Sequence, residues 1–338
     1  MIVLRRLRRL FSPPAPAPAP RLSFGSWDRL TGDALVVCHP EWRGVRAAAY
    51  TFRAPVVETA DAGAAAPDLV AAMTDAGVAV VVVHGFPPGT DTLLRLAAAA
   101  GIGTRLVLHS SMTQHGAEPG EAAVAAATLA LTAEGILERV GFVKEGLAEA
   151  FAALGHPAAY VPNRIPDLPP LRRVDLGPGL HVGIFAEPFW RKNVAAQLGA
   201  VALMPGATAH LVRRPEVGYL DAVPAVEHGT LPWDRFVHLQ GSVDLNLYAT
   251  LSECQPMTPV ESYGYGVPCL VSRTSAVFRD DPVLWDLSTI DEADNPRAIA
   301  AAAHRLLERR EEAVAAARAW MPAWDDMAAR RWEEFVAA

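Results

Sequence analysis

Glu253 and Glu261 are the residues of this chain whose type and spacing best suit chemistry. They lie in Ser252-Glu253-Cys254-Gln255-Pro256-Met257-Thr258-Pro259-Val260-Glu261, around a Pro-containing loop. The preceding segment, Asp244 to Leu251, reads as a buried strand. Gly266-Val267-Pro268 and a second apolar run, Cys269-Leu270-Val271, follow. Strand, loop, short helix and strand make a βαβ unit, which binds ligands at the carboxyl ends of its strands. Glu253 stands directly at such an end, where loop residues commonly carry sites. Within the loop, Thr258 suits a helix N-cap, Pro259 the first helical position, and Glu261 completes a capping box. The predicted helix runs from about Pro259 to Gly266. Its free N–H groups and positive dipole end would then face the mouth of the sheet and hold a phosphate or carboxylate. Glu261 has two readings: it caps its own helix, or it holds a ligand.

The elements that must position these residues alternate along the chain. Strands are predicted at Ala34 to His39, Pro55 to Glu58, Val78 to His84 and Thr104 to His109. Helices are predicted at Val45 to Phe52, Pro67 to Ala76, Asp91 to Ala100, Glu121 to Thr132 and Gly146 to Leu154. The Val-rich run before His84 has the pattern of a strand buried on both faces. Pro166 to Gly179 reads as an interdomain linker. The second half restarts with a strand at Leu180 to Phe185, a helix at Asn193 to Leu203 and a strand at Ala207 to Leu211. Phe236 to Leu239 is a weaker strand candidate. A long helix starts at Asn295-Pro296, runs towards Trp320, and is expected to break at Pro322. A last amphipathic helix carries Trp324, Met327, Trp332 and Phe335. The alternation predicts an α/β fold of parallel βαβ units. The expected organisation is a leader over 1–30, a first domain over 31–168, a second over 169–318 and a closing helix over 319–338.

With these residues in place, the segment Val243 to Val271 resembles the nucleotide-sugar site of retaining GT-B glycosyltransferases, family GT4. The resemblance rests on Glu-x7-Glu followed by Gly-x-Pro and a strand. Val161-Pro162-Asn163 and the stretch Val182 to Ala200 resemble the family too, and the first domain matches by pattern more than by motif. The resemblance implies two Rossmann-like domains with parallel sheets facing a cleft. The first would take the acceptor and the second the nucleotide sugar, and a C-terminal helix would cross back onto the first.

The resemblance also implies roles. Glu253 would contact the donor sugar and Glu261 the ribose hydroxyls. The loop Gln255, Pro256, Met257 and Thr258 would meet sugar and phosphates, the backbone N–H groups coming from Gln255, Met257 and Thr258, since Pro256 has none. Lys192 would neutralise charge that grows on the leaving diphosphate, as preorganised donors lower such barriers. Ile184 and Phe185 stand where the family has an Arg, and Arg191 is the available substitute. His109, at a strand end, matches the family's first-domain His, and His84 ends the neighbouring strand. A hydrogen-bonded structural role is the other reading of both. The loop Glu41-Trp42-Arg43-Gly44 replaces the family's Gly-Gly loop. Gly44 would admit a phosphate or acceptor close to the backbone. Trp42 would stack on a sugar ring or serve as a buried aromatic staple.

The activity implied is transfer of a sugar from a nucleotide-diphosphate sugar to an unidentified acceptor, with retention and without a metal. No cofactor is implied beyond that co-substrate. A nucleotide-sugar epimerase of the same fold and a non-catalytic sugar-binding scaffold are the alternatives.

Composition bounds these readings. The 338 residues exceed one ordinary core, so two domains are expected. A net charge of −7 argues against a nucleic-acid partner. Cys38, Cys254 and Cys269 form no CxxC pair, which points to a reducing, cytoplasmic setting. Arg5, Arg6, Arg8 and Arg9 precede a Pro/Ala tract. That leader reads as a loose terminus or as a weak anchor on the inner face of a membrane.

Overall fold

The structure, a computed structural model, describes residues 33–337. The basic leader, and with it the membrane-surface reading, lies outside the described residues. Among those residues no helix is long and apolar enough to cross a membrane.

The first domain holds six parallel strands in the order β2-β1-β3-β4-β5-β6. They are β1 (Ala34–Cys38), β2 (Val56–Glu58), β3 (Val80–His84), β4 (Gly103–Leu108), β5 (Arg139–Phe142) and β6 (Ala158–Tyr160). The helices between them are α1 (Arg43–Thr51), α2 (Ala62–Ala76), α3 (Thr90–Ala99), α4 (Met112–Ala117), α5 (Pro119–Ala133) and α6 (Leu147–Ala153). All five residues of β1 and of β3 are buried, which explains their unbroken apolar runs.

The second domain repeats the plan, with sheet order β12-β11-β10-β7-β8-β9, again all parallel. Its strands are β7 (Leu180–Ile184), β8 (Ala207–Leu211), β9 (Ala225–Glu227), β10 (Leu245–Tyr248), β11 (Cys269–Ser272) and β12 (Thr289–Ile290). Its helices are α7 (Val194–Ala202), α8 (Trp233–Gln240), α9 (Met257–Gly264), α10 (Pro282–Leu287), α11 (Pro296–Glu308) and α12 (Arg310–Ala337). Strand order reverses direction between β7 and β10 here, and between β1 and β3 in the first sheet. Loops leaving the carboxyl ends of strands diverge at such points and open a crevice.

The helix α12 packs on both cores. Trp320 and Trp324 join the second domain's core, and Trp332 and Phe335 lie with β1 and β3 residues of the first. The predicted break at Pro322 is absent, and the chain bends instead at Arg309, between α11 and α12. Proline removes one N–H, and buried Trp320 and Trp324 on either side hold the helix together. Phe236 to Leu239 is also not a strand. It lies in α8, where Val237, Leu239 and Gln240 are buried and Asp234 stands in the first turn. Four residues are too few to show a period, so the helix that starts after Pro232 decides it.

Candidate functional site

A cavity of about 610 Å³ separates the two domains, a size suited to a small organic ligand. Its second-domain wall is built at the reversal between β7 and β10. After β7 the chain makes a short helical turn, Trp190–Lys192, which Asn193 ends in the left-handed region (φ 54). The Asn193 amide donates to the Ala249 carbonyl at 2.9 Å, pinning this turn to the end of β10. Lys192 thereby reaches Glu253. Its ammonium lies 2.5 Å from Glu253 Oε2 and donates to Tyr248 Oη at 2.6 Å. Only 14% of the Lys192 side chain and 11% of the Glu253 side chain are exposed, so this pair is held out of water. Burial disfavours both charges, but each partner outweighs it. Lys192 is held above the usual lysine range by Tyr248 and Glu253, and Glu253 below the usual carboxylate range by Lys192 and Arg191. Arg191 Nη1 stands 3.9 Å from Glu253 Oε2. An ammonium has three N–H donors. Two are engaged among the described residues, and the third is available to a ligand in the cavity that Lys192 lines.

The loop after Glu253 feeds α9. Gln255, Pro256, Met257 and Thr258 all line the cavity. The predicted capping box is corrected: the N-cap is Pro256, with no side-chain cap, and the helix begins at Met257. That start, two residues earlier than predicted, puts Glu261 past the first turn, and Pro256 has no N–H for a carboxylate to cap. Glu261 instead faces the cavity, 2% exposed, and accepts from the Trp233 indole N–H at 3.3 Å. Burial pushes its carboxyl up to about 7, against the Trp233 hydrogen bond and the more distant Arg43.

This carries a stability prediction. The folded value stands above the ordinary 4.5. The group therefore costs nothing below about pH 4.5, destabilises the fold as pH rises from there to about 7, and adds no further cost above. The gap amounts to on the order of 3 kcal/mol. In calorimetric melting, Glu261→Gln is expected to match the parent at pH 4.5 and to melt higher at pH 8. A variant that melts lower at pH 8 would refute the carboxyl's burial cost.

The first-domain wall comes from loops after β1, β3 and β4. Trp42 is 37% exposed, stacks on His39 with ring centroids 4.8 Å apart, and lies over Gly85. Gly85 has φ +72, and a Cβ there would stand 2.8 Å from the indole, so only glycine allows this approach. Arg43 and Gly44, read above as loop, form the first turn of α1, and Gly44 lines the cavity with open space at its Cα. His109 is half-buried and lines the cavity. His84 does not; it sits fully buried behind, its Nδ1 3.1 Å from His109 Nε2. Burial lowers both imidazoles, His109 to about 4, so both are neutral.

Several contacts that bind the walls together escape sequence reasoning. Lys144 donates to the carbonyls of Glu253 and Thr274 across the domain boundary. Ser111 and Ser252 hydroxyls share a hydrogen bond of 2.7 Å. Asn163 and Gln255 form a three-bond clasp, Asn163 N–H to Gln255 Oε1 at 2.6 Å among them. The Arg43 guanidinium donates to the Leu231 carbonyl at 2.8 Å. Lys144 follows β5, a short strand with Arg and Gly that reads poorly as a strand, and Tyr248 carried a legible signal only as the last residue of β10. Cys254 lines the cavity too, but burial and then Glu253 push its thiol up to about 12, so it is no nucleophile at neutral pH.

No protein-family model and no curated protein matches the chain. Solved structures do resemble it. Anabaena HepE in complex with UDP and glucose aligns over 90% of this chain and 99% of its own, with a TM-score of 0.62 at 14% identity. A sucrose-phosphate synthase from Thermosynechococcus elongatus aligns over 83% and 79%, with a TM-score of 0.58 at 14% identity. An OtsA structure aligns over 90% and 98%, with a TM-score of 0.60 at 10% identity. At such identities the likeness carries the fold, and the chain has the GT-B architecture of two parallel-sheet α/β domains facing a cleft.

Proposed function

We propose that the chain is a retaining glycosyltransferase of the GT4 type, moving a sugar from a nucleotide-diphosphate sugar to an acceptor bound by the first domain. The observation that carries this reading is the buried Lys192–Glu253–Tyr248 cluster at the reversal of the second sheet, with one ammonium N–H left for a ligand. In this reading the diphosphate lies against Lys192, Arg191 and the amides at the start of α9, and the ribose against Glu261. Glu253 orients Lys192 and borders the sugar. The bond from the anomeric carbon to the leaving phosphate oxygen breaks, and its electrons pass to that oxygen. Lys192 and Arg191 stabilise the charge gained there. An acceptor hydroxyl attacks from the same face, and its proton goes to the leaving phosphate. The cations present supply the charge that a metal would otherwise bring. Structures similar in fold are described in complex with UDP, with UDP and glucose, and with UDP-glucose, which makes UDP-glucose the first donor to test. The three buried free thiols suit a reducing cytoplasm.

Water is a poor acceptor that every such enzyme meets. Slow hydrolysis of UDP-glucose, followed by proton NMR, is expected to release UDP together with α-glucose before mutarotation. Initial β-glucose would overturn retention. Conversion to another UDP-sugar without UDP release would replace the transferase by an epimerase.

A further inference from the structure

The second domain contains a chain of three imidazoles that the proposed reaction does not use. His181 Nδ1 lies 3.0 Å from His210 Nε2, and His210 Nδ1 lies 2.9 Å from His228 Nε2. At the far end His181 Nε2 stands 3.1 Å from the Gly177 carbonyl. The rings of His210 and His228 are within 14° of parallel. His181 and His210 are buried, 7% and 2% exposed, whereas His228 lines the cleft next to Gly229.

The polarity of this chain follows from its end. A carbonyl only accepts, so the proton of neutral His181 is on Nε2 and its Nδ1 is bare. His210 must then donate through Nε2, which leaves its own Nδ1 bare. His228 must donate through Nε2 in turn. Its Nδ1 is left as a lone pair, with no partner among the described residues and not sealed from solvent. The opposite polarity would keep both links between the rings but set the His181 lone pair against the carbonyl oxygen, losing that hydrogen bond and leaving the two acceptors facing each other. Burial lowers the affinity of His210 and His228 for a proton, so these two rings are neutral at neutral pH.

We propose that His181 and His210 are positioning residues that lock His228 as a hydrogen-bond acceptor on the cleft wall, so that this end of the cleft selects a ligand edge that donates an N–H. The ligand half of this rests on the donor pose above. With the sugar at Glu253 and the ribose at Glu261, the nucleobase extends past Trp233 along the segment that leads back through Leu231 and Gly229 to His228. Leu211 and Val212 give that end apolar walls suited to a flat heterocycle.

Long-range proton–nitrogen correlation on the 15N-labelled full-length protein reads the tautomers directly. The expected spectrum has all three rings protonated at Nε2 and bare at Nδ1, and His210→Phe is expected to release His228 into a mixture of tautomers. A wild-type His228 protonated at Nδ1 would overturn the lock. The ligand half is read by calorimetry with UDP and its N3-methyl analogue, which lacks the donor. The analogue is expected to bind at least ~10-fold more weakly, since the bound base covers the His228 acceptor and leaves it unpaired. His228→Phe is expected to erase that difference. Equal binding to the parent, or a difference that survives His228→Phe, would overturn it. If neither nucleotide binds, the donor reading and the ligand half fall together, while the spectrum still decides the tautomer lock.

Discussion

Lys192→Ala is expected to slow UDP release from UDP-glucose by roughly 10²–10³-fold, the usual loss when one preorganised charge donor is removed from a developing anion. The same change is expected to lower stability. Breaking a buried ion pair from one side costs about 3–5 kcal/mol, because the other charge is left uncompensated. Glu253 is 11% exposed at its side chain, with Arg191 3.9 Å away as its remaining cation. It will therefore take up a proton nearer neutral pH, which recovers part of the loss. The double variant Lys192→Met/Glu253→Gln removes both charges and is expected to regain most of the stability, as apolar or neutral replacements of buried pairs often do. It is expected to regain none of the turnover. Urea unfolding and a UDP-release assay on the single and double variants separate the two effects. A double variant that recovers both stability and turnover would mean that Lys192 only neutralises Glu253.

The second large effect lies away from the chemistry. Trp324→Ala is expected to destabilise the fold by about 3–5 kcal/mol, the range for removing a buried aromatic. Trp324 is 6% exposed, packs on Trp320 at 5.0 Å between ring centroids, and donates its indole N–H to the Asn163 carbonyl at 3.0 Å. That carbonyl also accepts from the Gln255 amide at 3.0 Å. The substitution thus removes core volume and one of two donors that fix Asn163, and Asn163 fixes the loop beside Glu253. Weaker nucleotide binding should accompany the lower unfolding midpoint. Trp320→Ala serves as the comparison. It creates a similar cavity in the same core without touching Asn163, and so is expected to cost stability with less effect on binding. Equal losses of binding in the two variants would show that the clasp at Asn163 plays no part.

How far the sequence reveals this molecule depends on the range of the interaction concerned. The Val-rich run of β3 and the apolar end of β10 announce buried parallel strands on their own, and parallel strands with intervening helices imply both sheets. The strand ends at Lys192, Glu253 and His109 follow from that pattern, since carboxyl ends of parallel strands carry ligand loops. What joins those ends does not follow. The pairing of Lys192 with Glu253 depends on the reversal of strand order that makes β7 and β10 neighbours. The capping box shows the limit in local form. Thr258, Pro259 and Glu261 fit one, yet the helix starts at Met257, because tertiary packing of Val260 and Tyr263 in the core and the hydrogen bond of Gln240 to the Thr258 carbonyl fix where its first turn lies. The imidazole chain is the extreme case. Its members come from β7, β8 and the residue after β9, and nothing in their sequence spacing marks them as a set.

The central claim is that the cleft between the domains is a nucleotide-sugar site. A thermal-shift screen of the full-length protein against nucleoside diphosphates and nucleotide sugars tests it most directly. A ligand that binds only the folded state raises the midpoint by mass action, by about 2.7 kcal/mol of stability at a hundred times its Kd. At least one nucleoside diphosphate and its sugar conjugate are expected to raise the midpoint, and Glu261→Ala and Lys192→Ala are each expected to reduce the shift. A screen in which no nucleotide or nucleotide sugar moves the midpoint would contradict it.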